Sequence, residues 1–171
     1  PLMLWEGSGG PAPRRNFDGL LIHRPLEKGV TTSYTQFFRN GIIEAVDTSI
    51  LNASKRLITE PRFSGILLDQ KLLAASSRYL KVQELLEVEV PVFIMVSLLG
   101  VKHYKITIPE ERGFNINDQI DRPDLIVPEA LIDAFESDIA QAMKSIFDTI
   151  WNSAGWERSR SYDETGKWKD S

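Results

Sequence analysis

Asn40-Gly41 stands between two runs of strand-forming residues, Ser33 to Arg39 and the stretch that resumes at once with Ile42-Ile43. Both residues tolerate positive φ, so the pair predicts a tight hairpin with a two-residue type I′ loop. Such a loop sets Arg39 opposite Ile42, Phe38 opposite Ile43 and Gln36 opposite Ala45. Tyr34, Phe38, Ile43 and Ala45 then share one face, which is expected to be the core side.

Other segments fall into place around that hairpin. Phe17 to Ile22 is a short apolar run fit for a preceding strand. From Phe63 to Leu86, Leu68, Leu72, Ala75, Tyr79, Val82 and Leu86 recur in steps of three and four, which predicts a long helix, with Pro61 near its start. Pro91 to Leu99 is apolar at nearly every position and is expected to be a strand covered on both faces. Gly100 ends it, and His103 to Ile108 is read as a strand pairing back against it. Leu125 to Ile132 is a further strand in which Pro128 marks an edge or a bulge. A last helix is expected from about Ser137 to Ser153, with Ile139, Met143, Ile146, Ile150 and Trp151 as its apolar stripe. Gly155 suits the left-handed position after that helix, and the capping geometry pairs Trp156 with Trp151.

The predicted fold class is therefore α+β: a mostly antiparallel sheet built from hairpins, with one long and one C-terminal helix packed on it. Residues 1–15 read as an N-terminal strand and linker, with an apolar Leu2 to Trp5 followed by the Gly/Pro-rich Gly7 to Pro13. Residues 16–153 form the domain, and residues 154–171 an aromatic tail packed on it. Pro1 is followed immediately by the apolar stretch, as expected of a segment cut from a longer polypeptide. At 171 residues, 42% of them hydrophobic, the chain is long enough to bury one core without disulfides or metals. It has no cysteine, which rules out thiolate chemistry and suits a reducing cytosol. No apolar run approaches the roughly 20 residues a membrane span needs. The expected location is cytoplasmic, and no membrane partner is expected.

Twenty basic against 24 acidic residues leave a net charge of −4, so no global field attracts a polyanion. Motifs with chemistry are scarce. Gly7-Ser8-Gly9-Gly10-Pro11-Ala12 imitates a dinucleotide loop, but its prolines oppose the helix that must follow. His23 and His103 have no second ligand at metal spacing and read as surface histidines. Asn115, Asn117, Gln119 and Asp121 imitate a calcium loop without its glycine or its bidentate glutamate. Asn52-Ala53-Ser54 is a glycosylation sequon without meaning in the cytosol. Glu110-Glu111 are solvated charges in a polar loop. Catalytic, cofactor and metal residues are therefore expected to be none. Arg14 and Arg15, with Arg158 and Arg160 beside Trp156, Tyr162 and Trp168, form the one combination suited to a polyanion. Glu157, Asp163, Glu164 and Asp170 are interspersed among them, and the charge balance favours a tail strapped over the core by its aromatics.

Four blocks stand out in order and spacing: Asn16 to Leu21, Tyr34 to Val46, Pro91 to Val101, and Trp151 to Tyr162. Together they resemble the C-terminal region of bacterial Schlafen-AlbA-type proteins, which are described as DNA-binding or ATP-binding proteins or as transcriptional regulators. The resemblance spans most of residues 14 to 168. It implies that the module associated with nucleic acid or nucleotide lies upstream, outside these residues, and it carries no binding or catalytic residue onto this sequence. The expectation is then a non-catalytic accessory domain for sensing, dimerisation or docking, with Arg39, Asn40 and the aromatic tail as contact surfaces. Its partners would be the upstream AlbA-like domain of the same polypeptide, nucleic acid only indirectly, and, as an option, a second copy of the chain. A second reading is direct nucleic-acid binding through Arg14, Arg15, Arg158, Arg160 and their aromatic neighbours. A third is a hydrolase using Asp118, Asp121 and Asp124.

Overall fold

The computed structural model describes residues 13–25, 31–52, 61–108 and 118–169. The expected strand Leu2 to Trp5, the imitated dinucleotide loop, Glu110-Glu111, and parts of the sequon and of the imitated calcium loop lie outside the described residues.

The N-terminal third forms a four-stranded antiparallel sheet in sequence order: β1 (Arg14–Arg15), β2 (Gly19–Pro25), β3 (Thr31–Phe38) and β4 (Ile43–Asp47). Arg14 and Arg15 pair with Leu21 and Leu20, so the sheet starts two residues before the expected domain boundary. The β3–β4 hairpin forms where Asn40-Gly41 predicts it, but with a different loop. Gly41 alone has positive φ (84°), the Phe38 N–H donates to Ile42 O at 2.8 Å, and the Gly41 N–H donates to Phe38 O at 3.1 Å. This is a three-residue loop, Arg39-Asn40-Gly41, with the glycine at its left-handed position. The register becomes Phe37↔Ile43 and Thr35↔Ala45. Because side chains alternate across a strand, one residue of slip turns β3 over. Thr35 and Phe37, not Tyr34 and Phe38, share the inner face with Ile43 and Ala45, while Tyr34 on the other face donates to Glu44 Oε1 at 2.6 Å.

After α1 (Ser49–Asn52) comes β5 (Arg62–Ser64), which runs directly into α2 (Gly65–Leu85). Pro61 therefore precedes a strand rather than opening the helix, and the Ser64 side chain caps α2 by accepting from the Leu67 N–H. β8 (Lys105–Thr107) pairs with β5 in parallel and not with the strand just before it, which corrects the expected return pairing. Every other pairing among the described residues is antiparallel, and the α+β class is as predicted.

Pro91 to Leu99 becomes β6 (Val92–Ile94) and β7 (Ser97–Leu99), facing β10 (Ala130–Ile132) and β9 (Asp124–Ile126). The second strand splits around Pro128, as the proline requires. These pairs make one bent, two-stranded ribbon, and only one of its faces is covered. Val92, Val96, Leu98, Leu125, Val127, Ala130 and Ile132 are buried, whereas Phe93, Met95, Leu99, Ile126 and Leu131 are exposed. The expectation of a strand covered on both faces is overturned, because no layer packs outside the ribbon among the described residues.

α3 (Ile139–Asn152) closes the core with Met143, Ile146, Phe147, Ile150 and Trp151 fully buried. Asp138 caps it by accepting from the Gln141 N–H. At its other end the Gly155 N–H donates to Asn152 O and the Trp156 N–H to Trp151 O, the bond pair of a Schellman ending with Gly155 at φ 79°. Trp156 packs edge-on to Trp151 with ring centroids 5.3 Å apart, as the sequence predicts. Among the described residues no helix is long and apolar enough to cross a membrane.

Candidate functional site

The most perturbed carboxyl among the described residues is that of Asp69 on α2, and its surroundings are set by glycine one turn earlier. Gly65 and Asp69 lie four apart on the same helix face. With no side chain at Gly65, the Trp151 indole slides over α2; a Cβ there would stand 2.6 Å from Ile106 Cγ2 and 2.8 Å from Trp151 Cε2. That approach lets the Trp151 Nε1–H donate to Asp69 Oδ2 at 2.9 Å. The turn at Gly155 then brings the tail back over α2, where Ser159 and Ser161 donate their hydroxyls to the same oxygen at 2.7 and 2.8 Å. Asp148 on α3 orders this return by accepting the Ser159 N–H at 2.9 Å, and Ser159 Oγ accepts the Ser161 N–H.

Asp69 is fully buried, and its Oδ1 has no hydrogen-bond partner. Loss of solvent pushes its carboxyl up to about 6; the Ser159, Ser161 and Trp151 donors oppose that shift, and the charge of Asp148 adds to it. A carboxyl tuned this way can serve as a general acid or base where substrate can reach it. Here three donors from two elements enclose it, and neither groove described next is lined by it. It fastens tail to core.

The larger groove, about 910 Å³, lies between the hairpin end of the four-stranded sheet and the C-terminal end of α2. Arg15, Arg39 and Asn40 line one wall, Glu87 and Glu89 the other, over a floor that includes Leu20 and Phe37. Arg39 is held in place by the turn between β1 and β2: its Nε–H donates to Phe17 O at 3.1 Å and its backbone N–H to Asp18 O at 3.0 Å. Gln83 ties the two walls by donating to Gly41 O at 2.9 Å. A smaller recess of about 380 Å³ at the start of α3 is lined by Asp138, Gln141, Lys167 and Trp168.

The contact residues expected from sequence divide into two groups. Arg15, Arg39 and Asn40 gather at the C-terminal end of α2, and Arg14 is exposed beside Arg15 on β1 without lining that groove. Trp156, Arg158, Arg160 and Tyr162 belong to the tail near Asp69. Seventeen helical residues from Asp69 to Leu86 put roughly 25 Å between the two groups, so they do not form one arginine surface. Tyr162 is buried, donates to Ala140 O at 2.6 Å and stacks edge-on against Trp168. Arg160 lies over the Trp156 ring at 5.6 Å.

The loop aspartates are engaged separately: Asp121 pairs with Arg122 at 2.9 Å, and Asp124 accepts from the Gly100 N–H at 2.9 Å. No three His, Asp or Glu side chains among the described residues converge to hold a metal. His103 is exposed, whereas His23 is half-buried with an enclosed, unpartnered Nδ1, unlike a surface histidine. Sequence reasoning missed Asp69. Its position three before Leu72, inside the apolar arc of the helix, was the only signal it gave. No protein-family model, no curated protein and no solved structure matches the chain.

Proposed function

We propose that this chain is a non-catalytic accessory domain that pairs with a second copy of itself through the groove at its hairpin end. Its parent polypeptide would be a DNA-associated regulator of the Schlafen-AlbA type, as the four sequence blocks suggest. The observation that carries the reading is the groove's composition: Arg15 and Arg39 on one wall face Glu87 and Glu89 on the other. A two-fold contact presents the same patch twice, so the arginines of one copy meet the glutamates of its partner. Asp69 supports the non-catalytic part, because α3 and the tail already supply its donors.

Size-exclusion chromatography with light scattering over a wide concentration range tests it. A dimer is expected that Arg39→Glu dissociates and that Glu87→Arg, added to Arg39→Glu, restores. A monomer at every concentration, or a dimer indifferent to both changes, overturns the reading.

Direct nucleic-acid binding has one observation in its favour, the Arg160 guanidinium stacked on the Trp156 ring with Lys169 donating to Arg160 O beside it. That reading requires labelled oligonucleotides to bind at low salt, with affinity falling steeply as salt rises. No shift at low salt removes it.

A further inference from the structure

The exposed face of the β6–β10 and β7–β9 ribbon has a composition that a free surface does not need. Phe93, Met95 and Leu99 point outward from one strand, and Ile126 and Leu131 from the other, at exposures of 45–78%. Phe93 stands directly opposite Leu131, and Ile126 faces Ser97 between Met95 and Leu99, so the five are cross-strand or diagonal neighbours. They amount to roughly 500 Å² of contiguous apolar surface, the upper end of what a monomer leaves uncovered.

The charges beside this stripe have one sign. Asp124, opposite Leu99, and Glu129 and Asp133, flanking Leu131, are all exposed, and neither Pro91 to Leu99 nor Asp124 to Asp133 contains a lysine or arginine. The described cations nearest in sequence, Lys102 and Arg122, follow Gly100 and precede Asp124, and Arg122 is already paired with Asp121. Nucleic acid and anionic lipid are repelled by such a face. A second copy is disfavoured as well, since a two-fold contact sets these carboxylates against their own copies with no cation between them.

The dimensions define what fits. Two strands about 4.8 Å apart, with their side chains, give a strip close to the 10 Å diameter of one helix. Val92 to Leu99 at about 3.3 Å per residue runs at most roughly 23 Å, the length of about 15 helical residues. We infer that the outer face of this ribbon is a docking surface for a cationic amphipathic helix of another polypeptide, its apolar stripe on Phe93, Met95, Leu99, Ile126 and Leu131 and its lysines or arginines beside Asp124, Glu129 and Asp133. This surface shares no residue with the hairpin groove, and the inference stands whether or not that groove pairs two copies.

Fluorescence anisotropy with a labelled Leu/Lys amphipathic peptide of about 18 residues tests it against a Leu/Glu peptide of the same pattern. Saturable binding of the Leu/Lys peptide alone is expected. Met95→Ser with Ile126→Ser weakens it about tenfold or more, without unfolding the chain, because both side chains are already in solvent. Asp124→Asn, Glu129→Gln and Asp133→Asn together weaken it several-fold and flatten its salt dependence, while Glu157→Gln with Glu164→Gln on the tail changes nothing. The inference is overturned by no binding at low salt, by equal binding of both peptides, or by losses as large in the tail variant as in the ribbon variants. Light scattering that shows a dimer broken by Met95→Ser with Ile126→Ser also overturns it, in favour of a second copy as the occupant.

Discussion

Trp151 donates its indole hydrogen to Asp69 Oδ2 at 2.9 Å, joining α3 to α2 through the most enclosed carboxylate among the described residues. Ser159 and Ser161 complete the contact from the tail, so one oxygen gathers three segments separated by up to 92 positions in sequence. Burying this acid carries a cost that varies with pH, and the variation can be measured.

The Asp69 carboxyl is raised from its ordinary 3.8 to about 6, so the folded chain binds its proton more tightly than the unfolded chain does. Its contribution to stability is complete below about pH 3.8 and is lost as pH rises through 6. The slope is about 1.4 kcal/mol per pH unit, and the total approaches 3 kcal/mol. In urea titrations, the stability of the wild type relative to Asp69→Asn is expected to fall by about that amount between pH 4 and pH 7. A difference that stays flat across this range means that the carboxyl is not buried as described.

The serines respond in the opposite sense. Their hydroxyls donate to the ionised carboxylate, and a hydrogen bond to a charged group contributes roughly 1.5–3 kcal/mol. Ser159→Ala and Ser161→Ala are expected to destabilise the fold most at pH 7 and less near pH 4, where Asp69 is protonated. Limited proteolysis at pH 7 should cut the tail of the double variant before the core. Equal losses at both pH values would show that the serines act through packing alone.

What sequence disclosed of this architecture was local. Gly155 and the two tryptophans follow from the capping geometry of a single helix end, and the break at Pro128 follows from one missing N–H. What it concealed depended on partners distant in the chain. The apolar run from Pro91 to Leu99 looks like a strand buried on both sides because composition cannot show that no layer lies beyond Phe93 and Met95. Asp69 reads as a polar helix residue because its donors lie 82 or more positions away. Of the contact residues expected, the sheet groups Arg15, Arg39 and Asn40 around one groove, while Tyr162 serves the core.

Gly65→Ala tests how tightly the helices meet. Alanine is the better helix former by about 1 kcal/mol, and propensity alone predicts a gain. The added methyl meets Trp151 and Ile106 at distances no relaxed Cβ adopts, and both are fully buried. Overpacking of this kind costs about 1–3 kcal/mol. Thermal melts should therefore show a lower Tm, with the Trp151 fluorescence altered; a raised Tm would mean that the indole does not cross the helix at Gly65.

The hairpin loop supplies a paired test, because its two possible geometries ask different things of Asn40 and Gly41. A two-residue type I′ loop holds both residues at positive φ, so glycine at either position relieves strain. In the observed loop only Gly41 is left-handed, at φ 84°, and an added Cβ there would also stand 2.8 Å from Val88 Cγ2 on the α2 side of the groove. Gly41→Ala is thus expected to cost about 1–2 kcal/mol, from backbone strain and from that contact. Asn40, outside the left-handed region, accepts the Ile42 N–H on its Oδ1 at 3.2 Å. Asn40→Gly removes this bond and frees the unfolded backbone, and a loss of about 0.5–1 kcal/mol is expected. Urea denaturation of the two variants decides between the loops. If Asn40→Gly stabilises the chain, with Gly41→Ala still costly, the two-residue loop is the true one, and Tyr34 and Phe38 return to the inner face.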